Sequence, residues 1–136
     1  MAFAAGYQMK PIIEQLRPVP VDGGFRREDD WIWCGSVIEG DQGLFHMFAS
    51  MWEKTVPFNP HWLTNSRVVH AVSPTPEGPY TYSGDVLPPR ESFWWDGRMT
   101  HNPTIHRWND LYLLFYTGTT YPESPPGPGD VVTDEM

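Results

Sequence analysis

The sequence predicts an all-β protein made of antiparallel four-stranded meanders. Three observations carry that reading. Aromatic residues make up 15% of the chain, including seven Trp, and such residues suit a pleated, half-buried surface. Fifteen Pro and twelve Gly divide the chain into short pieces joined by ordered loops, which disfavours long helices. One strand–turn–strand pattern also occurs twice: Cys34–Ser50 lies over His101–Thr117 without a gap, at an offset of 67 residues. Ile38 then meets Ile105, Leu44 meets Leu111, Phe48 meets Phe115 and Ser50 meets Thr117, with Asp29 over Asp96 upstream. Repeats of this kind indicate stacked units such as propeller blades. The plainer alternative is two unrelated hairpins with the same apolar pattern.

Residues 1–28 are weakly patterned and read as an arm lying on a domain of residues 29–136. Pro11 to Leu16 can form one helical turn, because Pro suits the first helical position. Pro18 and Pro20 stop it, and Gly23 and Gly24 allow a bend. Trp31–Ile38 is the first strand, Glu39–Gly43 a hairpin turn by composition, and Leu44–Met51 the return strand. Leu44, His46, Phe48 and Ser50 share one face of it, and Phe45, Met47, Ala49 and Met51 the other. Neither face is cleanly polar, so both are expected to be covered.

Trp52–Ser66 is a long loop carrying Trp52, Phe58, His61 and Trp62, and a loop of this length in a compact domain is often functional. Its aromatic residues either stack on a ligand or cap the core. Arg67–Ser73, a turn at Pro74–Gly78, and Pro79–Val86 complete a first meander over about residues 31–87. A linker, Leu87–Trp95, leads to a second unit from about residue 101. Its strands are Thr104–His106 and Leu111–Thr117, joined by a turn at Trp108–Asp110. The polar residues Asp96, Arg98, His101 and Asn102 precede the first of these strands, as in a site mounted on a β scaffold. Tyr121–Asp130 is too rich in Pro and Gly for regular structure, and Val131–Met136 has the composition to begin a further strand. A propeller closes with typically four or more blades. About one and a half units are expected here, which implies remaining blades of the same protein or assembly with partners.

The formal net charge is -8 and Lys and Arg are not clustered, which argues against nucleic acid as a partner. Neutral sugars remain compatible, since aromatic rings offer them flat apolar faces. A single cysteine, Cys34, rules out an intrachain disulfide and any Cys/His metal spacing, and it reads as a small buried hydrophobe. No cofactor motif is present. MAFAAGYQMKPII lacks a basic segment followed by a sustained apolar run. The expectation is no signal peptide, no membrane span and a cytoplasmic protein, unless the N-terminus is truncated.

Three stretches resemble the five-bladed β-propeller glycoside hydrolases of the family 43 type: SVIEGDQGLFHMFAS, VVHAVSPTPEGPYTY (Val68–Tyr82) and HNPTIHRWNDLYLLFYTG. The similarity covers roughly Trp31 to Tyr121, and the Ser-x-x-Pro-x-Gly-Pro-Tyr element is its most specific part. The resemblance implies hydrolysis of glycosidic bonds in plant or algal oligosaccharides, usually with inversion. One Asp would activate water, a second would tune the acid, and a Glu would protonate the leaving oxygen. Inversion needs carboxyl groups about 6.5–9.5 Å apart. The resemblance also allows a structural calcium ion on the propeller axis. Related readings are a glycoside phosphorylase of similar fold, a non-catalytic carbohydrate-binding propeller, and a protein-interaction propeller. The chain departs from the family where the base is expected, because the family's Asp-Pro falls on Cys34-Gly35.

The nearest carboxylates are Glu28, Asp29 and Asp30. Asp29 shares a side with Trp31 and Trp33, and Asp30 faces the other way. Asp29, Asp30 and Asp96 are therefore the catalytic candidates, and His101, Asn102, Trp62, Trp95 and Arg98 the substrate-binding ones. Each has a structural alternative. Asp96 suits a turn carboxylate, His101 an interior histidine bonded to a carbonyl, and Arg90 and Arg98 surface ion pairs with Glu91 or Asp96. If the two hairpins are equivalent, these groups converge on one funnel, where a desolvated carboxylate is expected to have a raised pKa.

Overall fold

The computed structural model describes residues 10–133, and they form antiparallel sheets as expected. Strands β1 (Asp30–Glu39), β2 (Phe45–Glu53), β3 (Arg67–Ser73) and β4 (Thr81–Leu87) pair in that order in one sheet. Strands β5 (Met99–Trp108) and β6 (Leu111–Thr119) form a second, two-stranded sheet. Neither sheet closes on itself. Two single-turn helices, α1 (Ile12–Gln15) and α2 (Trp62–Asn65), are the α-helices among the described residues.

The four-stranded sheet is covered on both faces, as its alternation demands. On one face Ala49, Met51, Val69 and Ala71 pack with Phe25 and Tyr80, supported by Ile32, Phe45, Met47 and Tyr82. On the other, β5 crosses β1, β2 and β3. Ser36 Oγ accepts from the Ile105 N–H at 3.2 Å, and Ser50 Oγ accepts from the Asn102 N–H at 2.9 Å. Small hydroxyl side chains thus let the β5 backbone sit close to the sheet while leaving no buried N–H unpaired there.

The two hairpins share a distortion that the gapless alignment hides. Register breaks between Trp33 and Ser36 in β1, and between His101 and Thr104 in β5. Each break contains a non-glycine residue in the left-handed region, Cys34 (φ 51) and Asn102 (φ 49), as a β-bulge allows. Trp33 pairs with Ser50 and His101 with Thr117; Ser36 pairs with Phe48 and Thr104 with Phe115. Ser50 and Thr117 are equivalent as expected, but Trp33 corresponds to His101 rather than Cys34 doing so. The first hairpin carries one extra residue in its turn, and that shifts its first strand by one position.

Strand β5 is also longer than expected. His101 and Asn102 lie within it, not ahead of it. Pro103 lacks an N–H and argues for a strand that starts later, but it occupies the bulge, where no ladder bond is required of it. Among the described residues, the arm docks through a short segment around Gly24. The Gly24 N–H donates to the Glu77 carbonyl at 2.7 Å, and the Tyr80 N–H donates to the Gly24 carbonyl at 2.8 Å. Gly78 (φ 88) permits this approach, since a Cβ there would fall 2.7 Å from the Gly24 nitrogen. Ile12, Ile13, Leu16, Val19 and Val21, by contrast, are exposed. Residues 131–133 form no strand, and residues 134–136 and the N-terminal residues 1–9 lie outside the described residues.

Candidate functional site

Antiparallel pairing makes β1 and β3 begin where β2 and β4 end, and Thr100 and Asn102, bonded to Val68, Leu87 and Ser50, put the start of β5 and the end of β6 at that same end. The two long connections, residues 54–66 and 88–98, therefore lie at this end. Thr100 fastens them together. Its hydroxyl donates to the Leu87 carbonyl and accepts from the Val68 N–H, both at 2.9 Å, and its own N–H donates to the Ser66 carbonyl at 3.1 Å. At the opposite end a cleft of about 420 Å³ opens between the two hairpins, lined mainly by Ile38, Leu44, Phe48, Ile105 and Tyr112.

His101 sits at the centre of an aromatic cluster. Its ring centroid lies 5.0 Å from that of Trp62 and 5.8 Å from that of Trp52. Trp52 packs on Phe58 at 4.9 Å, and Phe58 meets Trp31 and Trp33 edge-on at 5.6 and 5.4 Å. His101 Nδ1 is 2.7 Å from the Ser66 hydroxyl. Burial pushes the His101 pKa down to about 4, so the imidazole is neutral at neutral pH. Trp52 is fully buried, Trp62 half-buried and Trp33 52% exposed, so the cluster grades from core to solvent. Asn102 is exposed beside it, held by its N–H to Ser50. The helical turn α2 carries Trp62, whose Nε1 donates to Asn59 Oδ1 at 3.2 Å. The next-door His61 is buried, and neither its ring nitrogens nor Trp52 Nε1 has a hydrogen-bond partner among the described residues.

The carboxylates are placed differently. Asp30 is buried and paired with Arg27 at 2.7 Å; Arg67, 3.9 Å away, also holds Glu53 at 2.8 Å and Asp85 at 3.2 Å. Asp29 is exposed, and its carbonyl accepts from the Lys54 N–H at 2.8 Å. Asp96 is 2% exposed. It accepts from Arg90 Nε at 3.1 Å and Arg90 Nη2 on one oxygen, and from the Tyr116 hydroxyl at 2.7 Å on the other. Burial opposes its ionisation, but these donors outweigh burial and hold its pKa below the usual carboxylate range. The raised pKa expected of a funnel carboxylate is thus not what Asp96 has. Two strong donors on a desolvated anion favour the charged form.

Arg98 is committed as well, donating to the Tyr121 and Pro122 carbonyls at 3.3 and 3.4 Å. Trp95 stacks on Tyr116 at 5.5 Å and stays 59% exposed. Cys34 is exposed at its bulge, not buried as its residue type suggests. Of the expected site residues, then, Trp62 packs on His101, Asn102 adjoins it, and Trp33 joins the same cluster through Phe58 and Trp52. Asp96, Arg98 and Trp95 belong to the neighbouring 88–98 connection, and Asp30 to a separate ion-pair network. Trp33 is not among the expected site residues, although its place two residues after Trp31 puts both indoles on one side of the strand. Ser66 and Tyr116 carry no sequence signal, since their partners are distant in the chain. No three His, Cys, Asp or Glu side chains are grouped to hold a metal among the described residues. Neither a family model nor a curated protein matches this sequence.

Proposed function

We propose that this chain supplies the sugar-binding end of a β-propeller, glycoside hydrolase-like protein that cleaves plant or algal oligosaccharides with inversion, together with remaining blades of the same protein. The observation that carries the reading is an aromatic cluster at one end: His101, next to Asn102 in one bulged hairpin, is linked through Trp52 and Phe58 to Trp33 of the equivalent hairpin, and Trp62 from the 54–66 connection packs on it. Successive blades of a propeller stack in this manner. Indole faces receive the apolar C–H face of a sugar. The Asn102 amide offers both a donor and an acceptor to hydroxyl groups, and a neutral imidazole does the same.

Inversion needs a base and an acid on opposite sides of the bond. Asp30 and Asp96 are held in ion pairs, which leaves Asp29, at the head of β1, as the base candidate from this chain. The acid would come from another blade. The same ion pairs favour a second reading, a propeller that binds carbohydrate without cleaving it. Titration with arabino-, xylo- and galacto-oligosaccharides, followed by tryptophan fluorescence, tests the shared part of both readings. Trp62→Ala is expected to weaken binding about tenfold. Unchanged affinity in a folded Trp62→Ala protein would count against this site.

A further inference from the structure

We infer that the connection between β4 and β5 is a preformed aromatic ledge, Phe93–Trp94–Trp95, that seats further units of an oligosaccharide beyond the His101 cluster. The inference rests on the carbohydrate reading above and extends it to the substrate, which becomes a chain of several sugars.

Phe93, Trp94 and Trp95 are 77%, 44% and 59% exposed in a protein that buries Trp52 completely. Three consecutive large apolar side chains in solvent mark a contact surface more often than chance exposure. The loop that carries them is firmly held. The Arg90 N–H donates to the Gly97 carbonyl at 2.7 Å, the Trp94 N–H to Glu91 at 3.1 Å, and the Gly97 N–H to Trp94 at 3.0 Å. The Thr120 hydroxyl donates to the Ser92 carbonyl at 2.7 Å. The buried Asp96 carboxylate of the same loop accepts from Arg90 and Tyr116.

The rings themselves are positioned by the same residues. The Arg90 guanidinium lies 4.5 Å from the Trp94 ring centre, Phe93 packs on Trp94 at 5.2 Å, and Trp95 stacks on Tyr116. Immobilising a side chain on binding costs about 0.5–1.5 kcal/mol, and here much of that ordering is done on folding. An ion pair with a buried carboxylate and a half-exposed guanidinium, within the same loop, thus mounts the run.

Size selects the occupant. Aromatic side chains offer about 150–250 Å² each, so at these exposures the ledge presents roughly 300–400 Å². A stable protein partner needs about 800 Å² per side, whereas one or two sugar rings fit. The net charge of -8 disfavours an anionic membrane or nucleic acid. Glu91 and Arg90 at the margin can bond hydroxyl groups, and the ledge lies at the His101 end because β4 ends and β5 begins there.

The test titrates the full chain with arabino-, xylo- and galacto-oligosaccharides of increasing length, by calorimetry. Affinity is expected to rise with length for the sugar that binds. Trp94→Ala and Phe93→Ala are each expected to weaken the longest oligosaccharide about fivefold to tenfold while leaving the shortest unchanged. Trp62→Ala weakens both. Length-independent affinity, or ledge variants that bind long chains as well as the parent, overturns the ledge and leaves the His101 site standing. Binding of no oligosaccharide at all overturns both readings. A concentration-dependent dimer that these variants abolish reassigns the ledge to self-association and also overturns the inference. Phe93 is the most exposed of the three, so its variant guards against misfolding as the cause of any loss.

Discussion

His101 and Ser66 stand 35 residues apart in the chain, yet the Ser66 hydroxyl and His101 Nδ1 are hydrogen-bonded at 2.7 Å in a buried setting. This bond ties β5 to the segment entering β3, beneath Trp62. Burial in this setting disfavours the charged imidazolium form of His101.

Stability is therefore expected to depend on His101 protonation. The folded pKa, lowered to about 4 by burial, lies below the ordinary value of 6.5. Between those values the unfolded chain binds the proton more readily. The contribution is complete above about pH 6.5 and is lost as pH falls toward 4, up to about 3 kcal/mol. His70 is lowered too, by burial and then by His46, with the same sign. Urea unfolding of the parent and of His101→Asn at a series of pH values isolates the His101 part. Identical pH slopes would place the titrating group elsewhere.

Asp96→Asn is expected to act first on stability, with a loss of about 1–3 kcal/mol, because it weakens the part-buried hydrogen bonds of a buried carboxylate to Arg90 and Tyr116. Since the Asp96 pKa is held down, its contribution is present above the ordinary carboxylate pKa and fades as pH falls below about 4. Thermal unfolding measures both effects. Full stability in the variant, with turnover lost, would return Asp96 to the acid–base role.

Gly118→Ala is expected to displace the 88–98 connection. A Cβ at Gly118 would lie 2.5 Å from Asp96 Cβ and 2.8 Å from Trp95 Cζ3. Overpacking of this kind costs about 1–3 kcal/mol. The near-ultraviolet circular dichroism of the tryptophans, together with the melting temperature, reports the shift. A variant with the parent's spectrum and stability would show that β6 does not brace the loop.

The 136-residue chain by itself is expected not to hydrolyse glycosides, because inversion requires a second carboxyl group that its ion-paired Asp30 and Asp96 do not supply. Aryl arabinosides, xylosides and galactosides are suitable probes. Turnover abolished by Asp29→Asn would sink this prediction and identify both the base and an acid nearby.

Much of the sheet was legible beforehand. Turn residues at Glu39–Gly43 and Pro74–Gly78 bracket strands whose apolar content leaves little choice of structure. The two-face alternation of β2 needed only the period of a strand. The bulge was not legible. Ile38 and Ile105 match as apolar residues, and that match concealed the one-residue shift in the first strand.

What the sequence determined by itself was local: where strands run, where turns fall, and that aromatic residues crowd the 54–66 and 88–98 connections. What only tertiary structure decided was the state of the polar groups. Asp96 reads from sequence as a turn carboxylate or a base. Its ionisation is governed by Arg90 beside it and by Tyr116, which β6 brings from 20 residues away. His101 reads as a polar residue before a strand, and burial against Trp52 and Trp62 makes it a neutral one. Desolvation and hydrogen bonding act over a few ångströms of space, and the neighbours that impose them come from anywhere in the chain.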